Sequence, residues 1–487
     1  MIKAVRCRFV IAVMLAGIFA GIFAAGCSLD PGSDQEDPPA YPQNIYCACG
    51  DGELTLSWDP VPEATAYHIY MAKYSGLSST NYEEMRTAAA SPYTWASLGN
   101  DRPYYFVLTS SNSAGEGEHS PAISRMPRDP YTAVDLQRMT GSGTYNYDRF
   151  GKAVDIDGDW AVVGAWSDDA DGYTDRGSAF VFHRIGLNSW DEVAKLEPTE
   201  PGHNLQFGWS VAVSGDYALI GSPGADGKSG CAYVFRRTGS DSWGAAVKLT
   251  APQPVNDDQF GYCVSISGEY AAVGLIWRTS AYVFQRQSAD SWDSGWELIA
   301  PEANFGHTLA ISGNHVVASS QGAAFVYRRI GLNSWDAGTK LVPPDGGDGF
   351  GAPVAIAGDY LVVGAPEQDG GGNDRGAAYV FAATGVGTWD TGVKLVDPNP
   401  RDWNRFGSPV AVSGKYVLAL SGGDDSAFVF RRDGVGNAWD SGTELTQPAA
   451  GGFLGGNAAI DGMYAVIGSS AENTSRGAAY AVYAFPR

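Results

Sequence analysis

Basic side chains are scarce in this chain. Its 487 residues include 32 Lys and Arg against 54 Asp and Glu, a formal charge of −22. A nucleic-acid interface needs a basic face, so the balance argues against one and suits a soluble exported protein. The six histidines lie scattered, with no His-x-x-x-His or His-Glu-x-x-His pair, which argues against a zinc site. No Gly-x-Ser-x-Gly elbow is present. Paired carboxylates occur, as chance requires in so acidic a chain. The sequence therefore predicts no catalytic residue, no cofactor-binding residue and no enzyme activity. Segments with helical periodicity and caps are missing too, so an all-β fold is expected.

What the chain has in quantity is one short pattern, present seven times between Phe150 and Tyr483. The clearest copy runs from Phe350 to Pro366 and continues through Gly376–Phe381, Trp389-Asp390 and Lys394-Leu395. Phe-Gly recurs at Phe150, Phe207, Phe260, Phe305, Phe350 and Phe406, with Leu454-Gly455 in the last copy. Eight residues after each stands a glycine: Gly158, Gly215, Gly268, Gly313, Gly358, Gly414 and Gly462. That interval never varies, while the spacing between copies ranges from 45 to 57 residues. Rigid hairpins joined by elastic loops have this signature. Each copy contains four short apolar runs bounded by Gly and Asp, which read as strands. A Gly-Asp or Gly-Glu pair between the first two suits a turn with positive φ at its first position. Four strands per unit in seven units predict a seven-bladed β-propeller. The last copy lacks its Trp and Lys-Leu portion. An unpaired run, Val134-Asp135-Leu136-Gln137, precedes the first and is expected to supply that missing strand, closing the ring without an open edge.

Phe350-Gly351 followed by Gly364-Ala365-Pro366 resembles the FG-GAP repeat of integrin α-subunit propellers and many bacterial surface proteins. The resemblance covers residues 133–487, with Ser319-Ser320 and Leu420-Ser421 replacing Gly-Ala in two copies. It implies a propeller used for extracellular binding. Integrin repeats carry an Asp-rich calcium loop between the two elements. Here that stretch is a tight turn, as in Ser214-Gly215-Asp216, so calcium of the integrin type is not expected.

Residues 1–26 read as an export signal: Lys3, Arg6 and Arg8 precede an apolar stretch from Phe9 to Gly26. The alternative is an uncleaved anchor, because the apolar run is almost long enough to span a bilayer. Ala24-Ala25-Gly26-Cys27 resembles a bacterial lipobox, which implies cleavage before Cys27 and lipid attachment to it. Ser28 resembles the residue that directs Gram-negative lipoproteins to the outer membrane. Residues 27–41, rich in Pro and acids, are expected to be a disordered tether. Residues 42–127 contain alternating runs at Leu54–Trp58, Ala66–Tyr70 and Tyr104–Thr109, as in a small β-sandwich. With Trp58, Tyr67, Tyr105 and the stretch Asn112–Gly117, this unit resembles a fibronectin type III module. The family implies a spacer, and no Arg-Gly-Asp occurs in it. Residues 128–487 form the expected propeller.

Cys47, Cys49, Cys231 and Cys263 read either as disulfides or as small buried hydrophobes. A Cys231–Cys263 bridge would join neighbouring blades if the Cα atoms came close. Trp190, Trp243, Trp292, Trp335, Trp389 and Trp439 recur once per copy. Sugar stacking is conceivable, but such regularity favours packing. Asp168–Asp175 and, more loosely, Glu367–Asp374 are oxygen-rich loops. Calcium could use such loops, but without EF-type spacing they read as solvated turns, and no cofactor is expected. The expected protein is an exported, membrane-anchored lipoprotein, at the outer membrane or cell surface. It would bind an extracellular protein or glycan through its propeller loops. The alternatives are a structural envelope protein without a discrete ligand and an extracytoplasmic hydrolase acting at the propeller mouth.

Overall fold

The invariant eight-residue interval is one strand leading into one turn. Phe207-Gly208 opens it, Ser210–Ser214 is the strand, and Gly215-Asp216 returns the chain into Tyr217–Ser222. Gly215 lies at φ +56°, and the six equivalent glycines lie between +54° and +59°, a conformation that disfavours any Cβ. The structure, a computed structural model, describes residues 38–127 and 136–483, except 51, 75, 100–101, 126, 171, 187–188, 240, 277, 303–304, 347, 352, 370–371, 433–436 and 446–456. The expected signal segment, Cys27, Leu454-Gly455 and residues 27–37 of the expected tether lie outside the described residues. The chain divides into two compact units, Met1–Arg128 and Asp129–Arg487.

Among the described residues the second unit holds seven antiparallel sheets. In sheet 1 the strands Val154–Asp157, Trp160–Ala165, Ser178–Gly186 and Ser189–Leu196 pair in chain order. Sheets 2 to 6 follow the same chain order, beginning with Ser210–Ser214, Cys263–Ser267, Leu309–Ser312, Val354–Ala357 and Phe406–Ser413. In sheets 3 and 5 the outer position is divided between two short strands, Ser291–Trp292 and Trp296–Ile299, and Thr388–Trp389 and Val393–Leu395. Sheet 7 has Ala458–Asp461, Tyr464–Ser469 and Ala478–Tyr483. Its fourth strand is Leu136–Met139, paired from Ala479↔Met139 to Val482↔Leu136. It takes in Leu136 and Gln137 of the expected run and extends two residues beyond it, while Val134 and Asp135 lie outside the described residues. Each first strand lies against that of the next sheet, and that of sheet 7 lies against that of sheet 1. The second strands are buried on both faces, Trp160–Ala165 and Tyr217–Ser222 at every residue, which explains their consecutive apolar residues. Two four-residue helices, Ala225–Lys228 and Glu472–Ser475, depart from the all-β expectation. Asp226 and Gly227 within the first have left-handed φ, and so short a segment carries no helical periodicity to detect.

The Phe-Gly and Gly-Ala elements of adjacent sheets interlock. A Cβ on Gly164 would stand 2.0 Å from the carbonyl oxygen of Gly208, and one on Gly468 would stand 1.9 Å from that of Gly151. The Phe207 N–H donates to the Arg176 carbonyl of the preceding sheet at 3.1 Å, and the Phe150 N–H donates to Arg476 in sheet 7 at 3.1 Å. The recurrent tryptophans serve the same joints. Trp243 meets Trp160 of the preceding sheet at 6.3 Å, Trp292 meets Tyr217 at 6.4 Å, Trp335 meets Tyr270 at 6.1 Å and Trp439 meets Tyr360 at 6.1 Å, all near edge-to-face. Trp190 reaches Tyr464 across the closure at 6.4 Å. An arginine lies over the same partner ring at all five of these joints: Arg237 on Trp160, Arg286 on Tyr217, Arg329 on Tyr270, Arg432 on Tyr360 and Arg184 on Tyr464, at 4.0–4.8 Å. The regular tryptophans are therefore packing residues.

The first unit pairs Tyr46–Gly50, Glu53–Ser57 and Tyr93–Ala96 in one sheet. A second sheet contains Glu84–Ala88, Ala66–Ala72, Tyr104–Asn112, Gly115–Glu116 and Ile123–Arg125. One core joins Leu54, Leu56 and Trp95 of the first to Tyr67, Ile69, Phe106 and Leu108 of the second, with Trp58 5.2 Å from Tyr67.

Candidate functional site

The seven first strands surround a channel of 340 Å³. At the turn end, the last side chain of each strand serves the next sheet. Asp157 accepts from the Gly215 N–H at 2.6 Å, Ser214 from Gly268 at 3.3 Å, Ser267 from Gly313 at 3.1 Å, Ser312 from Gly358 at 3.0 Å, Ser413 from Gly462 at 3.0 Å, and Asp461 from Gly158 at 2.8 Å. This belt satisfies the amide donor that each left-handed turn presents. Sequence reading missed it, although the signal was there: the residue before each glycine is Ser or Asp in every copy but one. The exception is Ala357, whose methyl cannot accept from Gly414. Ala357→Ser should complete the belt and raise unfolding stability by about 1 kcal/mol, the net worth of one such bond, as read from urea denaturation.

Asp155, on the channel wall, accepts from the Val213 N–H at 2.7 Å. Burial pushes its carboxyl up to about 7, despite two backbone N–H donors, and the neighbouring Asp157 and Asp461 push it further the same way. An unfolded aspartate ionises near 3.9. The native state thus holds a proton that the unfolded state has released, and stability is lost as pH rises from about 4 towards 7. Asp155→Asn keeps an oxygen for Val213. It should match the parent protein at pH 4 and exceed it by up to about 4 kcal/mol at pH 8, in paired denaturation curves.

The opposite end of the channel, where the first strands begin, is different in kind. The residue after each Phe-Gly stands there: Lys152, Trp209, Tyr262 and His307 in sheets 1 to 4. With Trp166 they form a continuous arc. Trp166 meets Trp209 at 5.2 Å, Trp209 meets Tyr262 at 5.4 Å, and Tyr262 meets His307 at 4.9 Å. The Lys152 ammonium lies 5.3 Å from the Trp209 ring. The two tryptophans and Tyr262 are half-buried, and His307 is exposed. Although the His307 side chain reaches solvent, partial desolvation of the ring among its neighbours lowers its imidazole from the ordinary value, so it is neutral near pH 7. Burial, and then Arg149, lowers Lys152.

The loops entering this end hold non-glycine residues in left-handed backbone: Tyr147 and Arg149, Asn204 and Gln206, Asp257 and Gln259, Trp403 and Arg405, with φ from 51° to 77°. Such residues persist only where their surroundings fix them. Here the fixing is done by backbone bonds to the preceding sheet, from Arg149 to Ser475, Gln206 to Asp175, Gln259 to Lys228 and Arg405 to Asp374, at 2.9–3.1 Å.

A family model described as FG-GAP repeat matches residues 134–182, 190–235, 243–284 and 335–381. The chain carries FG-GAP repeats. No curated protein matches it. Among solved structures, a protein from Lactobacillus plantarum is 13% identical, with 78% of this chain and 96% of that one covered at a TM-score of 0.44. The fn3 domain of human collagen alpha-1(XX) chain is 23% identical, covering 21% of this chain and 96% of its own at a TM-score of 0.17. The FN5 domain of Drosophila Lar is 21% identical, covering 18% and 97% at 0.16.

The acidic loops of the FG-GAP sheets use their carboxylates internally. Asp168 accepts from Ser178 and pairs with Lys195 at 2.8 Å. Asp169 accepts from the Asp175 N–H at 2.8 Å, and in sheet 5 Asp369 accepts from Asp374 at 3.1 Å. The fourth-strand lysines have a related duty: Lys248 and Lys394 lie beside Tyr233 and Tyr379, each paired with the acid that its tyrosine also contacts, Glu200 and Asp345. Among the described residues no group of three His, Cys, Asp or Glu is placed to hold a metal.

The Cys231–Cys263 bridge does not form. Both are free thiols, because they face different joints: Cys231 packs between sheets 1 and 2, Cys263 between sheets 3 and 4. Burial pushes the Cys231 thiol up to about 12 and that of Cys263 to about 11; Cys231 is a small core residue, and Cys263 is partly buried on the channel wall. Cys47 is buried in the core of the first unit, and Cys49 stands opposite Leu54.

Proposed function

We propose that the chain is a seven-bladed β-propeller behind a fibronectin type III module, tethered at the cell surface by a lipid on Cys27, and that it binds an extracellular ligand at the aromatic mouth without turning it over. Seven sheets, the ring of first strands and the borrowed Leu136–Met139 strand support the propeller. The two sheets sharing the Trp58–Tyr67 core support the module.

One observation carries the binding reading. Positions that build the ring are nearly the same in every copy, whereas the position after Phe-Gly is Lys152, Trp209, Tyr262, His307, Ala352, Ser408 and Gly456. Packing of the repeat does not require large rings there, since three copies omit them. Partly exposed rings on a rigid rim supply binding free energy. The test is capture from extracellular matrix, envelope fractions and glycans by the full chain and by Trp209→Ala. A partner retained by the first and lost by the second supports the reading. Turnover of a hydrolase substrate that fails in the same variant replaces it with an enzyme. Mass spectrometry showing an uncut, unlipidated Cys27 removes the anchor.

A further inference from the structure

From the same arc, and resting on the binding reading above, we infer that the ligand is a neutral oligosaccharide. The rings step from sheet 1 to sheet 4 at 5.2, 5.4 and 4.9 Å, and successive planes turn by 64°, 45° and 43°. They make a curved wall rather than a closed pocket. A peptide side chain anchors by filling a dry pocket. A wall of rings instead suits pyranose units, whose apolar C–H faces lie on aromatic faces while their hydroxyls remain in water. A jointed chain of such units can follow the turning planes, which a flat rigid aromatic ligand cannot.

Charge narrows the class. The chain carries a formal −22, and the channel that the arc borders is lined with Asp155 and, at its far turn end, Asp157 and Asp461. The one ammonium of the arc, Lys152, already lies over Trp209. Polyanionic glycans are therefore disfavoured. The neutral His307 imidazole, exposed at the end of the arc, offers one donor and one acceptor, as a hydroxyl requires. The loops held in left-handed backbone keep the rim in place before binding, which limits the ordering cost.

Tryptophan emission of the full chain, titrated with oligosaccharides of glucose, mannose, xylose and N-acetylglucosamine and with polygalacturonate, tests this. A saturable change with at least one neutral oligomer is expected, and none with polygalacturonate. Trp209→Ala should weaken that binding roughly tenfold or more by calorimetry, and His307→Ala, at an exposed position, by roughly threefold. Trp296→Ala, on an outer strand of sheet 3, should bind as the parent does. Unfolding curves would establish that the variants fold; if Trp209→Ala does not, Tyr262→Ser takes its place. The inference is overturned if no neutral oligomer binds, or if binding survives loss of the arc. A protein partner that needs Trp209, with no oligosaccharide bound, overturns the glycan assignment and leaves the binding reading standing. If nothing binds through the arc, both fail.

Discussion

Gly468→Ala should lower unfolding stability by more than about 4 kcal/mol, a loss seen only when a named structural requirement is broken. The added Cβ would lie 1.9 Å from the Gly151 carbonyl oxygen and 2.9 Å from its carbon. Both are backbone atoms, so no side chain can swing aside. Gly151 is itself fixed, because its N–H donates to Gly164 at 2.9 Å. Relief requires sheets 7 and 1 to separate, which also strips the Trp190–Tyr464 contact. The comparison is Gly158→Ala. That glycine has φ +59° with nothing near its missing Cβ, so only the conformational cost of about 1 kcal/mol applies. Urea denaturation of the two variants separates crowding from backbone preference. Equal losses would refute the interlock.

Met139→Asp should be comparably severe, at about 3–5 kcal/mol, because it buries a charge with no partner. Met139 is 2% exposed and packs with Phe150 and Phe180 of sheet 1 and with Ala479 of sheet 7. It therefore belongs to the joint as well as to its own strand. Gln137 reinforces the same seal, giving and receiving hydrogen bonds with the Trp190 backbone at 2.9 and 2.6 Å. Proteolysis near residue 136 should become fast in this variant at temperatures where the parent resists. Arg138→Gln on the same strand removes only a partly exposed pair with Glu472 and should cost less than about 1 kcal/mol.

The repeat was legible because its two fixed points are fixed by backbone geometry. Phe-Gly docks on the preceding sheet, the glycine eight residues on turns the chain, and nothing can be inserted between them. The borrowed strand was legible for a related reason: Leu136 and Gln137 are apolar and polar residues left over where the last copy falls short. Contacts between copies were not legible. That Trp292 meets Tyr217 edge-to-face, or that Ser267 accepts from Gly313, depends on which sheet stands beside which, and no periodicity within one copy encodes it. The tryptophans announced themselves by recurrence and could be assigned to packing, but their partners could not be named. Cys231 and Cys263 show the same limit, since their distance in sequence says nothing of which joint each thiol faces. The arc hid for the opposite reason. It occupies the column that fails to repeat, and attention to a repeat passes over the positions that differ.

Closure through Leu136–Met139 has a consequence for how the molecule could be rewired. A wheel held by equivalent contacts all the way round has no privileged origin. The break between third and fourth strands in sheet 7 could be moved to the same place in any other sheet, with the old ends joined, and every seam would still be made from the same parts. A permuted gene of that design keeps the aromatic rim where it is while moving the chain's entry to a different point on the ring.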